Sequence, residues 1–258
     1  MHAAAPQSKP VYAPLVRNAD GLGPVVLACE HASPRIPPEF GDMGLAPEAR
    51  LSHAAWDPGA LAVAEEMSRI LDAPLVAGQV SRLIYDCNRP PEAPGAMPAQ
   101  VERFRIPGNE NLTPEARADR TRRIYEPFRD ALGAMLDARA PAALVTVHSF
   151  TPVWMGRPRD VRLGVLHDED ARLADALLAA LDAAGAPAAR NRPYGPQDGV
   201  THTLRAHALP RGLANVMIEI RNDLIADAQS QRAMAELLSD ALRDALARLA
   251  PSATDDDR

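Results

Sequence analysis

Short apolar runs and longer stretches of helical spacing alternate along most of the chain. Val25-Val26-Leu27-Ala28-Cys29 breaks into a polar cluster, the pattern of a buried strand. From Pro58 the spacing turns helical, with Leu61, Ala64, Met67 or Ser68, and Leu71 on one face; Asp57 and Pro58 stand as N-cap and first helical residue. Pro74 to Tyr85 carries a second strand signal, interrupted near Gly78. Thr113-Pro114-Glu115 opens a helix running to about Ala138. Strands are expected at Ala143–Val147, Val161–Leu166 and Asn215–Ile220, with an Ala/Leu-rich helix at Asp170–Ala184. A last helix, Asp227–Leu249, presents the apolar stripe Met234, Leu237, Leu238, Leu242, Ala245, Leu246 and Leu249.

This alternation predicts an α/β fold: one three-layer α/β/α domain whose largely parallel or mixed sheet is covered on both faces. That single domain is expected over residues 24–250, with a flexible N-terminal segment at 1–23 and a disordered tail at 251–258. Residues 89–111, rich in proline, form a loop of a length usually reserved for function or mobility. Ligands of such sheets collect at the carboxyl ends of the strands, and that rule sorts the polar residues.

Three predicted strands end in side chains able to bind or activate a ligand. The first runs into Glu30-His31, the third into His148-Ser149, and the fifth carries Glu219 and then Arg221. Two imidazoles and a carboxylate make a hydrolytic zinc site with its fourth position open for water. His31, His148 and Asp57 are the candidates, although a lone histidine can equally be a satisfied polar residue and Asp57 equally a helix cap. Glu219 lies in the apolar run Val216–Ile220, where an ionised carboxylate is costly unless paired or close to a cation. It is the candidate general acid–base. Arg82 and Arg89, with Asp86 to orient either of them, form a carboxylate clamp or else a solvated surface. The roles of His53, His202, Arg205 and His207 stay open, with Thr201–His207 either part of a lid or pocket wall, or helix surface.

Composition narrows the partners. With 28 Lys plus Arg against 34 Asp plus Glu, the chain carries −6 and lacks the basic excess of a nucleic-acid-binding surface. A small anionic substrate needs only a few placed arginines. Cys29 and Cys87 read as buried thiols, and the opening MHAAAPQSKP has no secretory apolar core. A cytoplasmic protein without membrane association is expected, its oligomeric state open. There is no GxGxxG or GxxxxGK[ST] segment to hold a nucleotide, and no HExxH, CxxC or GxSxG.

CEHASPRIP (29–37), AAWDPGA (54–60), SRLIYDCNRPP (81–91), VTVHSF (145–150) and YGPQDGVTHTLRAHALPRGLANVMIEIRNDLI (194–225), in that order, resemble the N-formylglutamate amidohydrolase family. The resemblance implies a phosphorylase/hydrolase-like fold akin to zinc carboxypeptidases and zinc cell-wall amidases. It also implies hydrolysis of N-formyl-L-glutamate, in histidine degradation. Carried over, His31 and His148 match the metal histidines of that wider fold. The carboxypeptidase pattern HxxE would place a glutamate where this chain has Pro34. The amidases take their carboxylate from the start of the following helix, where Asp57 sits, and their catalytic glutamate from a late apolar strand, where Glu219 sits. The expectation is therefore a zinc amidohydrolase: Zn²⁺ on His31, Asp57 and His148; Glu219 moving the proton; Arg82, Arg89 and Arg221 on substrate carboxylates; Asn88 or Tyr194 at the oxyanion. The substituted HxxE position feeds an alternative, a binding protein or sensor for an acidic metabolite. A peptidoglycan amidase is a third reading, opposed by the cytoplasmic look of the chain.

Overall fold

The computed structural model describes residues 11–250; the expected tail 251–258 lies outside the described residues, as does 1–10. In chain order the strands are β1 Leu15–Arg17, β2 Val25–Cys29, β3 Leu75–Ala77, β4 Gln100–Val101, β5 Phe104–Arg105, β6 Ala143–Phe150, β7 Val153–Trp154, β8 Arg157–Pro158, β9 Leu163–Leu166, β10 Ala189–Arg190 and β11 Ala214–Arg221. The helices are α1 Pro47–Leu51, α2 Ala60–Leu71, α3 Pro114–Arg120, α4 Glu126–Arg139, α5 Arg172–Ala183 and α6 Ala228–Leu249. Seven strands form one mixed sheet in the order β1-β3-β2-β6-β11-β9-β10. Its centre, β3-β2-β6-β11, is parallel, whereas β1 runs antiparallel to β3 and β9 antiparallel to β11.

Helices cover both faces. Val25, Leu27 and Cys29 pack on one side with Val63 and Met67 of α2, Leu173 and Leu177 of α5, and Leu238 and Leu242 of α6. Val26 and Ala28 point the other way, onto Phe128, Leu132 and Leu136 of α4 and the buried turn Leu83-Ile84-Tyr85. Both sets are apolar because neither face meets water, so these strands read as continuous runs rather than alternations. Each large side chain so buried stabilises the fold by roughly 1.5–3 kcal/mol. Among the described residues no helix is long and apolar enough to cross a membrane.

Three expectations are corrected. Leu15–Arg17 is not part of a flexible leader but an edge strand, with Leu15 opposite Ala77 and Arg17 opposite Leu75. The strand signal over Pro74–Tyr85 stops at Ala77, because the Gly78 N–H bonds Cys29 O and the Ser81 N–H then reaches Arg35 O, which draws the chain off the sheet. Asp57 does not cap a helix: α2 begins at Ala60, and its N-cap is Gly59 in the left-handed region at φ 82°. A Cβ on Gly59 would fall 2.6 Å from Ile225 O, so the close turn wants glycine. The Asp57 side chain is thereby released to turn toward the sheet.

Candidate active site

The carboxyl ends of β2, β6 and β11 open into a cavity of about 700 Å³. His31 stands two residues beyond the end of β2, while His148 lies within β6 and Glu219 stands opposite it in register on β11. On the far side of Glu219 the β9 partner is Gly164, where a Cβ would come 3.2 Å from Glu219 Cβ and 2.1 Å from Arg192 O. A side chain there would collide with the Arg192 carbonyl and crowd Glu219. Asp57 arrives from the loop before α2, its backbone N–H held by His31 O at 2.9 Å.

These groups meet at one point. Asp57 Oδ2 lies 2.8 Å from His148 Nδ1 and 3.3 Å from His31 Nδ1, and accepts the Ser149 N–H at 3.2 Å. One ligand atom from each of His31, Asp57 and His148 falls within 4.8 Å of the others, all three residues being buried. The far edge of each ring faces a further carboxylate. His31 Nε2 is 2.6 Å from Asp86 Oδ1. His148 Nε2 stands 3.0 Å from Glu30 Oε2, a close ion-pair contact whose angle is poor for a linear hydrogen bond. Arg82 spans the cluster, its Nη2 donating to Asp86 at 2.8 Å and its Nη1 to Asp57 at 3.4 Å.

The electrostatics follow from this packing. Burial opposes ionisation of Glu30, but the His148 imidazole holds its carboxyl below the ordinary range. Burial likewise works against charge on Asp57 and Asp86, and His31 holds both low, with Arg82 assisting at Asp86. Against its own burial, His148 keeps its proton well above the usual imidazole range, drawn by Glu30 and Asp57. Burial pushes Glu219 up to about 7; His148 opposes that rise and Asp57 reinforces it. Glu219 Oε2 has no hydrogen-bond partner among the described residues.

A family model for N-formylglutamate amidohydrolase matches residues 23–226. The chain belongs to the N-formylglutamate amidohydrolase family. The match encloses every residue lining the cavity, from His31 to Glu219. The chain is similar to the crystal structure of a gene product from Agrobacterium tumefaciens, 52% identical, with a TM-score of 0.90 over 92% of this chain and 96% of that one. It also shares its fold with an N-formylglutamate amidohydrolase from Ralstonia eutropha, at 19% identity and a TM-score of 0.70 over 92% of this chain and 98% of that one. Among the curated proteins none matches.

Within this family frame the expected residues sort by what they touch. His31, Asp57, His148 and Glu219 share the cavity, and Arg82, Asn88, Arg89 and Tyr194 line it as well. Arg82 is spent on Asp57 and Asp86 rather than free as a clamp. Asn88 is a staple, not a free amide: its Nδ2 donates to Val200 O and its Oδ1 accepts the Thr203 N–H at 2.9 Å. Arg89 holds Asn88 O at 2.9 Å and Gly199 O at 2.7 Å. Arg221 does not line the cavity; it pairs with Asp223 at 2.8 Å and donates to Arg159 O at 2.9 Å. His53 does line it, 3.2 Å from Glu102. His202 bonds Tyr125 Oη at 2.8 Å, Arg205 is exposed, and His207 is buried away from the cavity. Sequence reasoning missed Arg159 and Arg192, which lie in loops, and Trp154, in the two-residue strand β7, none with a periodicity to mark it.

Proposed function

We propose that this chain is a metal-dependent amidohydrolase that cleaves the amide bond of a small acidic N-acyl amino acid such as N-formyl-L-glutamate. One observation carries the reading. Nδ1 of both histidines faces Asp57, and Nε2 of each faces a separate buried carboxylate, Asp86 or Glu30. Metal-binding histidines typically turn their second ring nitrogen to such a carboxylate, which fixes the tautomer and raises basicity. The charge balance agrees once His148 gives up its proton to become a ligand: Glu30, Asp57 and Asp86 are buried carboxylates, and among the described residues Arg82 is the one guanidinium ion-paired with them. Buried anions in excess call for a cation. His31, Asp57 and His148 would hold it, and an N,N,O donor set suits Zn²⁺.

A bound divalent cation would supply Lewis acidity toward the substrate carbonyl and a water. The chain's own residues supply the rest. Glu219, a cavity-lining carboxyl with one oxygen lacking a hydrogen-bond partner among the described residues, takes a proton from water and returns it to the departing amine nitrogen. A carboxyl raised to about 7 exchanges protons readily near neutrality. Arg82 donates to Asp57 and Asp86, directing both, and helps His31 keep Asp86 ionised. The kinship with zinc carboxypeptidases and amidases, a cytoplasmic location and a place in histidine degradation belong to the same reading. Growth of a gene-deletion strain on histidine as nitrogen source tests the last of these.

The direct test is elemental analysis of purified protein alongside hydrolysis of N-formyl-L-glutamate, before and after a chelator and with metal restored. Bound divalent metal and amine release that is lost and regained with it are expected. Binding of acidic derivatives without amine release over hours would favour the sensor instead.

A further inference from the structure

An acidic substrate needs a cation that the cavity has not already spent. Arg82 is committed to Asp57 and Asp86, and Arg89 to two backbone carbonyls. Arg192 lines the cavity from an exposed loop position. Arg159 differs from all three. Its guanidinium carbon lies 4.8 Å from the Tyr194 ring centre, 5.1 Å from Trp154 and 5.4 Å from Phe150. All three rings line the same cavity as Arg159. Its Nη1 donates to Tyr194 Oη at 2.9 Å, and at 3.4 Å to Thr151 O. Among the described residues it has no carboxylate within ion-pair distance.

The backbone of Arg159 is fixed as firmly as its tip. Its N–H donates to Pro152 O at 2.8 Å, and its carbonyl accepts from Arg221 Nη1 at 2.9 Å. Arg221 follows Glu219 by two residues on β11, so the strand that carries the candidate proton carrier also anchors Arg159. A guanidinium held by aromatic faces loses little further freedom on binding, and its planar fork matches a carboxylate.

We propose that Arg159 is the specificity-determining residue of this cavity: its guanidinium, clamped by Phe150, Trp154 and Tyr194, receives a carboxylate of the amino-acid part of the substrate. Arg221 is a positioning residue that acts through the Arg159 carbonyl. This deepens, and rests on, the reading of the cavity as an amidohydrolase site for acidic N-acyl amino acids.

Equilibrium binding tests it without requiring turnover. N-acetyl-L-glutamate, N-acetyl-L-glutamine and N-acetyl-L-isoglutamine are titrated calorimetrically into the purified wild type, Arg159→Met and Arg159→Lys. The two monoamides report which carboxylate is bound. The wild type should favour the diacid over the poorer monoamide by about tenfold or more, the scale of one charge-assisted bidentate contact. Arg159→Met should erase that preference while leaving the poorer monoamide within about twofold of wild type; Arg159→Lys should keep part of it. Should the Met variant fold poorly, the Lys variant is read alone. An unchanged preference in the variants, or none in the wild type, overturns the proposal. An Arg159-dependent preference without hydrolysis would sink the amidohydrolase reading and spare Arg159, whereas hydrolysis with an Arg159-independent preference would do the reverse.

Discussion

His148 Nδ1 lies 2.8 Å from Asp57 Oδ2, across a separation of 91 residues in the chain. That contact ties the end of a central strand to the loop that precedes α2, and its consequences differ from those of a helix cap. Asn is as good an N-cap as Asp, so Asp57→Asn would be nearly silent if capping were the role. The geometry instead predicts loss of bound divalent metal in Asp57→Asn, with the far-ultraviolet dichroism of the helices retained. Metal content equal to wild type in that variant would return Asp57 to a purely structural part.

Glu30 buttresses the other edge of the same imidazole, Oε2 standing 3.0 Å from His148 Nε2. Its own position is secured by Gly78, where a Cβ would approach Glu30 O to 2.2 Å. Glu30→Gln keeps the shape and removes the charge. Metal affinity, measured by competition with a chromogenic chelator, should fall about 10–100-fold, the usual effect of losing a carboxylate behind a metal-binding histidine. Unaltered affinity would show that Glu30 serves only packing.

Much of this arrangement was legible in the residues. Val25–Cys29, Ala143–Val147 and Asn215–Ile220 are apolar because both faces of the sheet are covered, so the central strands announced themselves. The polar residues that interrupt or end those runs, His31, His148 and Glu219, pointed to the cavity together, although each histidine alone could have been a satisfied polar residue at a strand end. What stayed hidden was short or irregular. Leu15–Arg17 and Ala189–Arg190 are edge strands too brief to set a period. Asp57 mimicked a cap because Asp-Pro before an apolar stripe is also how helices begin. Arg159 sits in MGRPRD among residues that look solvated, and only the folding of Trp154, Phe150 and Tyr194 around it gives it meaning.

Glu219 separates metal binding from proton transfer. It faces the cavity beside the His31–Asp57–His148 cluster but is not one of its members. Glu219→Gln should therefore retain metal while turnover of N-formyl-L-glutamate drops by roughly 10²–10⁴-fold, the scale of a lost general acid–base. Metal content and steady-state rates on the same preparation decide it; turnover near wild type would mean that another group moves the proton.

His207 offers a prediction about stability that is independent of catalysis. Burial lowers its pKa from 6.5 to about 4, and the neighbouring Arg211 adds to that effect. The folded state therefore keeps the ring neutral where the unfolded chain would protonate it. Its contribution is fully present above pH 6.5 and is lost as the pH falls toward 4. At pH 5 the loss relative to pH 7 amounts to roughly 1–2 kcal/mol. Urea unfolding of wild type and His207→Gln at both pH values should show the variant losing less stability on acidification by about that amount. Equal losses would place the acid sensitivity elsewhere.

One carboxylate bridges two short ribbons that line the cavity. Glu102, in the turn between β4 and β5, accepts the Met155 N–H at 2.9 Å from the turn between β7 and β8, and its other oxygen lies 3.2 Å from His53 Nε2. Val101 and Trp154, one from each ribbon, line the cavity, and Trp154 meets the His53 ring edge-on at 5.9 Å. Isolated two-stranded ribbons are marginal on their own, and this shared acceptor links the two that line the cavity. Glu102→Ala should free the β7–β8 ribbon, raising KM for the acidic substrate by roughly three- to tenfold while kcat changes less, as expected when a wall that positions substrate loosens. Hydrogen exchange should quicken at residues 153–158 in the same variant. If exchange there stays slow and KM is unmoved, the ribbons are held by their own turns and Glu102 is incidental to them.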